Sequence, residues 1–178
     1  MKIFLIGFMG CGKTTLAKKL ASRLSYQLLD LDLEIEKRAG MPIGAYFAAH
    51  GEDAFRLLES ETLKTMDYMA DAVIATGGGA PCHFDNMEWM NQQGLTIYME
   101  MAPAALARRL EKGKAKRPLL KDLDQAGILH FIGQKLQERK LWYHQAQLIV
   151  SGVNLDAASM EKLIREKLSG PRSEIAPL

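Results

Sequence analysis

The sequence predicts an α/β protein: a parallel sheet covered by helices on both faces. Two observations carry this reading. Five short apolar runs alternate along the chain with stretches of helical periodicity, the pattern of a sheet whose strands are buried on both sides. At the first strand-to-helix seam stands GFMGCGKTT, Gly7 to Thr15, which fits the phosphate-binding pattern G-x-x-x-x-G-K-[ST] in the context that pattern requires.

KIFLI is the first strand, and the helix from Thr14 to Leu24 repeats leucine at Leu16, Leu20 and Leu24 on one face. QLLDLD is the second strand. Between Asp32 and Glu52 the alternation breaks into short helical pieces around Gly40, Pro42 and Gly51. The helix from about Glu52 places Phe55, Leu58, Thr62, Met66 and Met69 on one stripe. AVIAT and LTIYME are strands three and four, each followed by a helix. GKAKRPLLKDLD, Gly113 to Asp124, is polar, basic and kinked at Pro118, and such an insertion suits a lid. A long helix follows with Leu129, Ile132, Leu136 and Tyr143 on one face, then QLIV as strand five. Asn154 or Asp156 caps a last helix ending near Leu168, and residues 169–178 read as a frayed tail.

With 178 residues, 48% hydrophobic and 25% charged, the chain is of ordinary globular make-up and suits one core, hence one domain over residues 1–168. A net charge of +2 gives no long-range field for nucleic acid or an anionic membrane. No apolar run reaches the ~18 residues that span a bilayer, so a cytoplasmic location is expected. Cys11 and Cys82 are too few for a disulfide framework, and the four histidines lack metal-site spacing. A monomer is the default expectation.

Chemistry concentrates where strands end. Glycines in the first loop let successive N–H groups converge, and the following helix adds its unpaired amides and positive dipole end. Lys13 would reach the β- and γ-phosphates of a nucleoside triphosphate, and the Thr14 hydroxyl would ligate Mg²⁺. Cys11, beside Lys13 and close to a helix N-terminus, is expected to face the nucleotide as a thiolate-prone side chain. Asp30 and Asp32, two apart in an extended strand, fall on one side of it at its carboxyl end. Asp30 suits the metal. Asp32 suits an acceptor hydroxyl, or the N-cap of LEIEKRAG. Gly77, Gly78 and Gly79 follow strand three and admit a ligand close to the backbone, while the usual Walker B aspartate is missing there. Arg56 and Arg139 suit bidentate capture of a carboxylate, with a surface salt bridge as the bland account of each. Arg117, in the lid segment, could swing over a transferring phosphate.

GFMGCGKTT, LLDLD, GEDAFRLLES, TGGGAP, KRPLL and ERKLWY together resemble the shikimate kinases in order and spacing, over Met1 to Leu168. The resemblance implies a three-layer P-loop kinase fold similar to nucleoside monophosphate kinases. Its five-stranded sheet would have order 2-3-1-4-5, with a substrate-binding segment at about 32–62 and a lid at about 112–124. It implies transfer of the ATP γ-phosphate to the 3-hydroxyl of shikimate, on the route to chorismate and aromatic amino acids. By the same resemblance Gly10, Cys11, Gly12, Lys13, Thr14 and Thr15 hold the ATP phosphates, with Arg109, or Arg108 beside it, on the adenine and Arg117 on the lid. Thr14 and Asp30 serve Mg²⁺. Asp32, Arg56, Gly77, Gly78, Gly79 and Arg139 serve shikimate, and Lys13, Asp32 and Arg117 are the catalytic set. Two other readings stay open: a kinase for another hydroxy acid such as gluconate, and a nucleotide-dependent regulatory module without turnover.

Overall fold

The computed structural model describes residues 1–111, 120 and 122–169. Within them β1 (Lys2–Ile6), β2 (Gln27–Asp30), β3 (Ala72–Ala75), β4 (Gly94–Glu100) and β5 (Leu148–Ser151) form one sheet of order β2-β3-β1-β4-β5, parallel throughout. Central β1 is apolar because both its faces are covered: Ile3, Phe4, Leu5 and Ile6 are all fully buried. Alternation along β1 divides the core. Ile3 and Leu5 pack with α1 (Lys13–Leu24), α5 (Pro103–Glu111) and α7 (Ala157–Ser169). Phe4 and Ile6 pack with α2 (Leu31–Ala39), α3 (Ile43–Thr65) and α4 (Asn86–Gln93). The long α6 (Gln125–Tyr143) gives Ile128 and Ile132 to the first cluster and Tyr143 to the second.

The broken region after β2 is helical and punctuated where its residues demand. α2 stops at Gly40, whose left-handed φ of 69° a side chain would strain, Pro42 stands at the α3 N-cap, and α3 bends at Gly51. Two apolar stripes differ from the sequence-based expectation. α3 ends at Thr65, so Met69 has no helix to place it and is 64% exposed. On α6 the buried position is Ile128 and not Leu129, because the helix starts from an Asp124 cap that accepts from the Gly127 amide at 2.7 Å and sets its phase. Asp156, not Asn154, caps α7 by accepting from the Ser159 amide at 2.8 Å.

Most of the segment read as a lid lies outside the described residues, Arg117 included, as do residues 170–178. Leu120, within that segment, is fully buried against the cluster on the α1 side. Among the described residues no helix is long and apolar enough to cross a membrane.

Candidate active site

The loop after β1 turns on Gly12, whose φ of 101° places it in the left-handed region, and α1 begins at Lys13 with no side chain capping its N-terminus. The first-turn amides are left for an anion. Lys13 is buried against the loop, donating from Nζ to the carbonyls of Gly7 at 2.8 Å and Phe8 at 3.1 Å. Thr14 and Thr15 are exposed at the helix start. The Cys11 thiol, expected to face the nucleotide, is instead 1% exposed and packed in the core beside Gly7 and Lys13. What Cys11 offers a ligand is therefore its backbone, and its carbonyl accepts from Arg109 Nη1 at 3.0 Å. Arg109 lines a cavity of about 290 Å³ with Gly12, Thr15, Lys19 and Asn154, whereas Arg108 lines a separate cavity with Ala104 and Gln125. Of the two arginines, Arg109 adjoins the phosphate loop.

β2 ends at Asp30, two residues sooner than the alternation of QLLDLD suggests. Asp32 belongs to the first turn of α2, not to a strand, and Asp30 is the cap, accepting at Oδ1 from the Asp32 amide at 3.1 Å. The cap wins because Leu31 and Ile35 bury one face of a helix that starts at Leu31, which leaves Asp30 at the N-cap and Asp32 in the first turn. The pairing of Asp30 with Thr14 holds all the same: the Thr14 hydroxyl donates to Asp30 Oδ2 at 2.9 Å. Partial withdrawal from water, with Asp30 next and Glu36 adding, raises the Asp32 carboxyl above its usual range, and Lys13 and Arg56 oppose the rise.

The three glycines after β3 form the floor between these groups. A Cβ on Gly77 would stand 2.7 Å from Glu59 Oε1 and 3.1 Å from Asp32 Oδ1; one on Gly79 would stand 2.6 Å from Arg56 Nη1. A side chain at Gly77 or Gly79 would therefore displace the Glu59 and Asp32 carboxylates or the Arg56 guanidinium from their places in the site. Arg139 Nη1 donates to the Gly78 carbonyl at 3.2 Å, and its guanidinium lies 5.4 Å from the Phe8 ring centroid. Arg56 is held from its own helix by Glu52 at 3.1 Å and Glu59 at 2.9 Å. The two arginines, distant in sequence, approach adjacent glycines.

Glu59 is the residue that sequence reasoning missed. Its side chain is 2% exposed, and burial raises its carboxyl above the usual range while Arg56 pulls the other way. Its spacing three residues after Arg56 was the available signal. The apolar stripe of α6 assigns Tyr143 to the core alone. It is buried, yet its hydroxyl also donates to the Gly78 carbonyl, at 2.6 Å.

An uncapped anion nest that opens beside two arginines and a carboxylate suits transfer of a phosphoryl group to a small acidic acceptor, and on this sheet order the class is the P-loop kinases. The model of the family described as shikimate kinase matches residues 9–168. A shikimate kinase of Bacteroides fragilis is 43% identical over 159 residues, covering 89% of each chain. Among solved structures, the shikimate kinase of Bacteroides thetaiotaomicron has a TM-score of 0.87 at 40% identity, over 94% of this chain and 98% of that one. That of Acinetobacter baumannii, in complex with shikimate, has 0.80 at 33%, over 94% and 93%. The chain belongs to the shikimate kinase family, a family of ATP-dependent phosphotransferases.

Proposed function

We propose that the chain transfers the γ-phosphate of ATP to the 3-hydroxyl of shikimate, giving shikimate 3-phosphate and ADP on the route to chorismate. The observation that carries this reading is the approach of Arg56 and Arg139 to adjacent glycines beside Asp32, a geometry that grips a carboxylate and leaves an acid beside its hydroxyls.

Gly10 to Thr15 cradle the phosphates, with Lys13 released from its loop carbonyls to the β- and γ-oxygens, and Arg109 borders the adenine. Thr14 and Asp30 are hard oxygen donors already in contact, and they fit Mg²⁺, which keeps most of its waters and takes few protein ligands. The metal, when bound, would neutralise charge on the phosphates. Arg56 and Arg139 hold the shikimate carboxylate across the glycine floor. Asp32 accepts from the ring hydroxyls, aligns the 3-hydroxyl towards the loop and takes its proton as the bond to phosphorus forms. Its raised pKa makes it a stronger base than an ordinary carboxylate. Positioning and charge neutralisation supply most of the rate. Arg117 and the lid at 112–124 enter on the resemblance, as the cover that excludes water.

ADP release measured over a panel of hydroxylated acids tests the assignment. Dependence on shikimate and indifference to gluconate is expected; turnover with gluconate, or equal release without any acid, would contradict it.

A further inference from the structure

The Gly78–Gly79 peptide is the least constrained piece of the site by sequence and the most constrained by contacts. Two glycines flank it, so rotation of its plane meets no Cβ and costs little. Such a peptide would exchange between presenting its oxygen and presenting its N–H to the cleft. Yet the Gly78 oxygen takes two donors from α6 one turn apart, Tyr143 Oη at 2.6 Å and Arg139 Nη1 at 3.2 Å. In a trans peptide the Gly79 N–H then points away from α6. Among the described residues no acceptor is found for the amides of Gly78 or Gly79.

We infer that Tyr143 is a positioning residue for the acid substrate: its hydroxyl fixes the Gly78 carbonyl towards α6, so that the Gly79 amide is presented to the substrate and no carbonyl oxygen faces the carboxylate. The inference rests on the reading of Gly78 and Gly79 as substrate contacts. Tyr143 suits the task better than Arg139 alone, which also has to engage the carboxylate and cannot hold the peptide as firmly while doing so. Burial pushes the Tyr143 phenol well above its usual range, so it stays protonated and donating at any working pH. Its ring packs against Tyr98 with centroids 4.9 Å apart, a contact that phenylalanine would keep.

Tyr68 provides a matched control, since its hydroxyl donates to the Leu63 carbonyl at the same 2.6 Å but away from the site. Wild type, Tyr143→Phe and Tyr68→Phe are compared by calorimetric titration with shikimate and with MgATP, by thermal melting, and by ¹⁵N–¹H spectra of the Gly79 amide. Tyr143→Phe should weaken shikimate binding roughly tenfold and raise its KM in step, with MgATP affinity within about twofold of wild type. The Gly79 amide should respond to shikimate in wild type and respond less in Tyr143→Phe. Tyr68→Phe should lose thermal stability with both affinities kept. Unchanged shikimate affinity in Tyr143→Phe, or parallel loss of both ligands in proportion to melting temperature, overturns the inference. A wild-type Gly79 amide that ignores bound shikimate overturns the substrate reading of the loop, and the role of Tyr143 with it.

Discussion

The Thr14 hydroxyl donates to Asp30 Oδ2 at 2.9 Å, joining the first turn of α1 to the end of β2 across two elements of the sheet edge. β3, whose end usually carries the second acidic group of a P-loop site, ends in AVIAT and glycines. The Thr14–Asp30 contact supplies the oxygen donors in its place. Thr14→Val should therefore cut kcat by roughly 10²-fold at limiting Mg²⁺, with partial recovery as Mg²⁺ rises, while Thr14→Ser stays close to wild type. Asp30 has a second duty, as cap of α2. Asp30→Ala should cost about 0.5–2 kcal/mol of stability, and Asp30→Asn, which can still accept from the Asp32 amide, much less. Rates over an Mg²⁺ series, with melting curves alongside, check both.

Lys13→Ala should abolish turnover and leave the fold standing. The ammonium contacts two buried loop carbonyls, so stability should fall by about 1–3 kcal/mol, short of unfolding the chain. Wild-type turnover in this variant would remove Lys13 from the phosphates.

Replacing Arg56 or Arg139 by lysine keeps the charge but loses the fork that matches a planar carboxylate. Each variant should lower kcat/KM for shikimate roughly 10- to 100-fold with little change in ATP affinity. The double variant should be non-additive if the two grip one carboxylate. Steady-state kinetics with each substrate varied decides the matter; equal weakening of ATP and shikimate would show that the arginine serves the nucleotide.

Much of this site was legible because it sits where strands end. The order of strands, the loop from Gly7 to Thr15 and the opposition of Thr14 to Asp30 follow from spacing that local geometry enforces. Asp32 lies in α2 and not on a strand, because an i, i+2 carboxylate pair fits strand alternation and a cap with its first turn equally well, and the cap decides. The direction of the Cys11 thiol is not legible, because proximity in sequence to Lys13 says nothing of which way it turns, and it turns into the core. The i, i+3 spacing of Glu59 from Arg56 is local, but the approach of Glu59 to Gly77 and the second donor on Gly78 depend on α3 and α6 meeting the β3 loop, contacts that no local pattern encodes.

Asp32 makes stability depend on pH. Its carboxyl is raised in the folded chain, chiefly by withdrawal from water and then by Asp30, so the folded state holds this proton more tightly than the unfolded one. The stability it contributes is fully present below the ordinary value of 3.8 and is lost as pH rises through the raised one. Asp32→Asn should accordingly melt higher than wild type at neutral pH and converge with it in acid, while kcat falls by roughly 10²-fold or more if Asp32 acts as base. Melting curves at both pH values are the check; a variant that melts lower at neutral pH would show Asp32 engaged in a favourable contact instead.

The central claim, phosphoryl transfer to the 3-hydroxyl of shikimate held by Arg56 and Arg139, is tested most directly by identifying the product. Wild-type protein incubated with MgATP and shikimate should give one new phosphorus resonance that correlates with the ring proton at carbon 3, in step with ADP released, and the double lysine variant should give both far more slowly at matched, sub-saturating shikimate. Phosphorus on another hydroxyl, or ADP released without a phosphorylated acid, would contradict it.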